Sequence, residues 1–243
     1  MIIWSRGGGW GGPYLMGKNG INGEDVIKNG SELWCDLNAY VISQWAKDTS
    51  KSDRFYVLKF ATEELKTSRK DSLIFYEICN LSARAVLMGK SCCGQSVPWE
   101  MEWTRDQNIN PIMFISNVEN VIKANIADEM LWWRKQSVQL WKQIVDLSEQ
   151  IITGNSVDYI RTTCKYGYYL YSIYETMFRA NIFAKTGKDF SKAIKEYDEL
   201  WTNFNQLKQT NPRCPTLFNK TGRKYIVGYN CYGFDDVIDN LRK

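Results

Sequence analysis

The sequence predicts a mainly α-helical protein, an irregular helical bundle preceded by a short N-terminal strand and a glycine-rich loop. Three observations lead there. Beyond residue 31, apolar residues recur at intervals of three and four over most of the chain. No repeat near 34 or 40 residues organises them into a solenoid. Finally, 44% apolar and 24% charged residues over 243 positions describe a globular chain long enough to bury a large core.

The elements follow in order. Met1 to Trp4 is a short apolar run without the basic region and cleavage site of a signal peptide, and it reads as a strand. A lone strand needs neighbours for its ladder groups, so its sheet is expected outside this chain, with Met1 lying inside a larger protein. Ser5 to Tyr14 is dense in glycine. Leu33, Trp34, Leu37, Tyr40, Val41 and Trp45 then mark a helix over about 32–47, ended by Asp48 and Thr49. Ser50 with Asp53 resembles a capping box opening a helix through Leu65. Another helix is expected from about Lys70 to Met88, stopped by Gly89, with a loop over 89–99.

Ser116 to Ile152 reads as one long helical unit interrupted at most once and ended at Gly154. Asn155, with Asp158 in the first turn, is the expected cap of a tyrosine-rich helix stopping at Gly187. Asp189 caps the next, which ends before Asn211 and Pro212 because proline disfavours helix in the residue before it. A Gly/Pro/Tyr loop and a short helix from about Asp235 close the chain. The tyrosine and tryptophan stripes are expected to serve as core and interface more than as cofactor contacts.

Composition removes several chemistries. The chain has no histidine, which excludes a self-contained Ser-His-Asp or Cys-His mechanism, a His-ligated zinc and a histidine pH switch. Seven scattered cysteines form no C-x-x-C pair, and neither a metal site nor a cofactor is expected; adjacent Cys92 and Cys93 have no partner that sequence identifies. The 31 Lys and Arg against 27 Asp and Glu are dispersed, and the clustering that nucleic-acid binding requires is missing. Lys185, Lys188, Lys192 and Lys195 alternate with acids and read as a solvated helix face. No run of about 18 apolar residues exists to span a membrane.

Two segments carry recognition chemistry. The glycine loop holds Trp4, Arg6, Trp10 and Tyr14, and aromatic faces beside a fixed cation suit sugar rings and their acidic substituents; an ordinary loop packed on the first helix is the competing reading. It is no phosphate cradle, since the G-x-x-x-x-G-K-[ST] order is missing. Trp99 to Asp106 puts two indoles, Glu100, Glu102, Arg105 and Asp106 in eight positions. Glycoside hydrolysis needs carboxylates on opposite sides of the scissile bond, and Glu102 and Asp106 on one helix face do not straddle a sugar. Ligand contact, interface or an exposed cap therefore remain for this segment. Asp25, Asp36, Glu119, Asp128 and Glu129 gain no identifiable catalytic partner.

The run from Asp36 to Asp48 (DLNAYVISQWAKD), that from Asn80 to Leu87 (NLSARAVL), and Trp103 to Asp106 (WTRD) resemble the helical C-terminal region of large bacterial glycoside hydrolases, the α-glucuronidase group among them. Tyr166 to Tyr168, Tyr197 to Trp201 and Cys214 to Leu217 extend the resemblance over most of the chain. It implies that residues 1–30 are the last strand and loop of a (β/α)8 barrel, whose active sites lie at that end of the strands, and that 31–243 form a helical domain packed on it. No position matches the family's catalytic acid and base, so none is carried over.

The resemblance implies one wall of a carbohydrate site built from Trp4, Arg6, Trp10, Tyr14, Trp103 and Arg105, with Arg6 or Arg105 pairing bidentately with a uronate carboxylate. The implied partners are an oligo- or polysaccharide and the missing barrel, and the implied compartment is periplasmic or extracellular. Hydrolysis is expected only with the barrel present. The alternative is a non-catalytic helical protein-interaction module, and nucleic-acid binding ranks last.

Overall fold

A computed structural model describes residues 32–90, 118–210, 223–224, 230–231 and 238–243, and it is a mainly α irregular helical bundle. The helices are α1 (Glu32–Trp45), α2 (Asp53–Glu63), α3 (Arg69–Lys90), α4 (Ala127–Glu149), α5 (Val157–Lys185) and α6 (Ser191–Thr210). A short helical segment, 118–123, precedes α4. Two-residue strands pair antiparallel, Arg223 opposite Cys231 and Lys224 opposite Asn230, and a 3-10 turn, Asp239–Leu241, follows. The expected N-terminal strand, Met1 to Trp4, lies outside the described residues.

Neighbours in sequence are neighbours in space: α3 packs on α4, α4 on α5 and α5 on α6, with α2 against α3 and α1 against α2. Helix α5 is central. More than half of its residues are buried, on faces turned both ways, because it has α4 on one side and α6 on the other. The tyrosine stripe is core as expected: Tyr166, Tyr171 and Tyr174 are buried alongside Tyr197, Trp201 and Phe204 of α6.

Glycine controls how close the central helices come. The Trp141 ring of α4 lies 2.3 Å from where a Cβ on Gly167 would stand, and the Tyr171 ring of α5 lies 2.3 Å from the same point on Gly89. Trp141 and Tyr171 stack on each other at 5.4 Å and 22°. Gly89 therefore does not stop α3, as its sequence position suggested. It lies inside the helix, which continues to Lys90, and its value is the missing side chain under Tyr171.

Other boundaries shift for local reasons. The cap of α2 is Ser52, whose Oγ accepts from Phe55 N–H, while Ser50 N–H is taken by the Asp48 carboxylate. The long unit after 116 breaks at Asn125, which adopts φ 56, and α4 ends at Glu149 ahead of Gly154, φ 109. Ser156, not Asn155, precedes α5, and Asn155 N–H is held by Leu65 O. Gly187, φ 70, does follow the end of α5, and Asp189 does accept from Ser191 N–H as α6 begins. The start of the closing helix expected from about Asp235 lies outside the described residues, which there begin with helical, buried Ile238 and the 3-10 turn.

One polar knot joins the start of α3 to the α4–α5 connection. Ser68 Oγ accepts from Asp71 N–H and Ser68 N–H donates to Thr153 Oγ1. Asp71 Oδ2 in turn receives Ile152 N–H at 3.0 Å, Thr153 N–H at 2.8 Å and the Thr153 hydroxyl. Burial opposes the charge on Asp71, but the Thr153 hydroxyl and the two amides outweigh it and hold the carboxyl below its usual value. Arg161 of α5 caps the end of α4, donating to Glu149 O at 3.0 Å and Ile151 O at 2.9 Å.

Two outcomes follow. Gly167→Ala should destabilise the fold by about 1–3 kcal/mol in urea unfolding, because the new methyl meets Trp141 in a packed core. Asp71→Asn should cost about 1–3 kcal/mol at pH 7. Because the folded carboxyl titrates below the unfolded one, this contribution is present above about pH 4 and fades as pH falls through the folded value, so wild type and variant should converge progressively as the pH is lowered below about 4.

Candidate functional site

The six residues assigned to a carbohydrate wall, Trp4, Arg6, Trp10, Tyr14, Trp103 and Arg105, lie outside the described residues, as do Glu100, Glu102 and Asp106. The bundle fixes the points where their segments attach. Helix α1 runs antiparallel to α2, since Tyr40 hydroxyl donates to Glu63 and Trp45 Nε1 to Lys51 O. In turn α2 runs antiparallel to α3, with Phe60 against Phe75 and Arg54 against Tyr76. Glu32, where the N-terminal segment joins, therefore lies toward the Asp71 end of α3, and the segment 91–117 leaves from the Gly89 end. Asp71 and Gly89 are about 27 Å apart along the helix axis at 1.5 Å per residue. The helices alone do not bring the two aromatic segments together; a shared ligand requires one segment to cross that distance.

The Gly89 end is built around a buried cation. Arg134 of α4 is 2% exposed, donates from Nη1 to Gly89 O at 2.6 Å, and lays its guanidinium 3.7 Å from the Phe178 ring centroid and 5.1 Å from that of Tyr174. Ser137 hydroxyl donates to Ala85 O at 2.7 Å. Gly89 O belongs to the last turn of α3, where the helix dipole is negative, so the Arg134 cation there is favoured twice, while Ser137 holds a carbonyl one turn earlier. The return of the chain is also held: Val118 is fully buried, and Glu119 receives Lys185 at 2.8 Å.

Of the carboxylates that sequence left without a role, Asp25 lies outside the described residues and Glu119 pairs with Lys185. Asp128 faces Lys188 at 4.0 Å, Glu129 accepts from Trp133 Nε1, and Asp36 is exposed on α1. Glu149 is held below the usual carboxylate range by the Lys165 hydrogen bond, and Glu175 and Glu196 share Arg179. The Lys185 to Lys195 face is solvated and paired, Lys192 with Glu196 and Lys195 with Glu199. Buried Cys164 has its thiol pushed up to about 12 by burial, and burial likewise raises Cys79, so neither is a ready nucleophile. No metal-ligating cluster occurs among the described residues, and no described helix is long and apolar enough to cross a membrane.

The described surface also carries a groove of about 510 Å³ between α2 and α3, lined by Arg54, Leu73, Tyr76, Glu77, Asn80 and Arg84 along with Leu81. Tyr76, Asn80 and Arg84 form one ridge of α3 at intervals of four, and Leu73, Glu77 and Leu81 form the next. Arg54 enters from α2 and lies 5.5 Å from the Tyr76 ring centroid. The ridges are legible as spacing in the sequence; the approach of Arg54 is not, because it depends on how α2 turns back onto α3.

No protein-family model matches the chain, and comparison with curated proteins and with solved structures returns no match.

Proposed function

We propose that the chain is the helical, non-catalytic portion of a carbohydrate-active glycoside hydrolase, packing against a catalytic unit and lending aromatic and basic contacts to the substrate. The resemblance of Asp36–Asp48, Asn80–Leu87 and Trp103–Asp106 supplies the enzyme class. The observation that carries the supporting role is the commitment of acids at the bundle's helix contacts to structure: Asp71 to two amides and a hydroxyl, Glu149 to Lys165 and Arg161, Glu175 and Glu196 to Arg179. These acids are therefore not available as the acid and base flanking a glycosidic bond, and the reading assigns that pair to another unit.

A protein-interaction module without sugar chemistry is the second reading. It is favoured by Leu87 and Trp132, which are 69% and 52% exposed on α3 and α4.

Calorimetry of the purified chain with uronate-bearing oligosaccharides, coupled to chromatography of the sugar, separates these readings. Binding without new reducing ends is expected, and Trp103→Ala and Arg105→Ala should each weaken it about tenfold, or about 1.4 kcal/mol. Hydrolysis by the chain alone contradicts the supporting role. Absence of glycan affinity together with capture of a protein partner favours the second reading.

A further inference from the structure

We infer that the α2–α3 groove is a binding site for an acidic oligosaccharide, formed by residues other than those assigned to the carbohydrate wall; the inference rests on the carbohydrate reading above. The groove, about 510 Å³, is largely open to solvent and lined by exposed or half-buried side chains, so it suits an extended ligand lying along the surface. Its charge is the first argument. Arg54 and Arg84 both line it, and among the described residues no carboxylate lies within ion-pair distance of either guanidinium. Most other arginines of the bundle are committed: Arg161 to Glu149, Arg179 to Glu175 and Glu196, Arg242 to Asp198 and Asp239, and Arg134 to Gly89 O. A planar guanidinium with its fork open is suited to a carboxylate.

The second argument is what lines the groove beside the arginines. Tyr76 and Arg84 are eight residues apart on one ridge, about 12 Å along the axis, and the Arg54 guanidinium lies 5.5 Å from the Tyr76 ring centroid, so the two arginines enter the lining from different helices and at different positions along it. Glu77 and Asn80 line it at intermediate positions of α3, and half-buried Tyr76 and Leu81 supply apolar surface. An amide that donates and accepts, and a carboxylate that accepts, match sugar hydroxyls; an aromatic and aliphatic surface matches the C–H face of a pyranose. Glu77 disfavours a dense anion such as a phosphate, and it also disfavours a run of acidic side chains. A ligand with separated carboxylates on a hydroxyl-rich frame fits all of these groups, which is the chemistry of a uronate oligosaccharide.

The test is calorimetry of the full chain with tetragalacturonate and with its carboxyl-reduced, neutral counterpart. Wild type should bind the acidic form at least tenfold more tightly. Arg54→Ala and Arg84→Ala should each remove about tenfold in affinity and together abolish one binding stoichiometry, with circular dichroism and urea midpoints unchanged because both side chains are exposed. Arg84→Lys should recover only part of the loss, since an ammonium lacks the fork. If wild type binds and the arginine variants bind equally well while Trp103→Ala does not, the groove inference is overturned and the carbohydrate reading stands. If no form binds tetragalacturonate, both fall. Displacement of tetragalacturonate from the Arg54/Arg84 groove by an oligoglutamate peptide, at equal or lower concentration, would overturn the sugar assignment in favour of an acidic peptide.

Discussion

The bundle depends on one stacked aromatic pair seated between two glycines. Trp141 of α4 and Tyr171 of α5 lie face to face, with Gly167 beneath the indole and Gly89 beneath the phenol ring. A side chain at either glycine would occupy the space of a ring, so three helices are fixed in separation and in register by the same contact. Dispersion between the rings and the exposed helix backbone is gained only at that register. The neighbouring groups then fall into place: Arg134 reaches Gly89 O only because α3 and α4 are close there, and its guanidinium covers Phe178 about two turns beyond Tyr171.

This constraint matters for function because it makes the bundle a rigid holder. The Asp71 end is tied by carboxylate hydrogen bonds to the α4–α5 connection, and the Gly89 end by a buried guanidinium and a serine. Residues 91–117 follow directly after the second of these ties in sequence. A segment rich in tryptophan, glutamate and arginine thus begins next to a backbone carbonyl, Gly89 O, already held by Arg134, and the entropy of ordering that carbonyl does not recur when a ligand is bound. Acids within the bundle stabilise helix ends and helix pairs, which leaves ligand recognition to the outward groups.

Much of the fold was legible from periodicity because most helices bury a continuous stripe. The spacing of Leu33, Leu37 and Tyr40, and the run from Ile160 to Phe183, could hardly belong to another element. Boundaries were less legible where two local devices compete: Ser50 and Ser52 both stand before α2, and only the structure shows that Asp48 already occupies the amide of Ser50. Gly89 was misread because a glycine near a helix end usually means termination, whereas here the reason for it is a ring arriving from a helix 82 positions later, a contact no local pattern encodes. The same limit applies to the groove, whose α3 ridges are visible in sequence while Arg54 enters from another helix. The six residues of the proposed wall rest on composition and resemblance, and the helices fix only where their segments attach.

The central claim, that this bundle carries sugar-contacting segments without catalysing hydrolysis itself, is tested most directly by hydroxyl-radical footprinting of the full chain, read by mass spectrometry with and without saturating uronate oligosaccharide. The account predicts sugar-dependent protection of the peptide containing Trp99 to Asp106, intact sugar at the end of the reaction, and no change at Trp141 and Tyr171, which are shielded in both states. Equal labelling of Trp99 to Asp106 with and without the sugar, or cleavage of the sugar during the experiment, would contradict it.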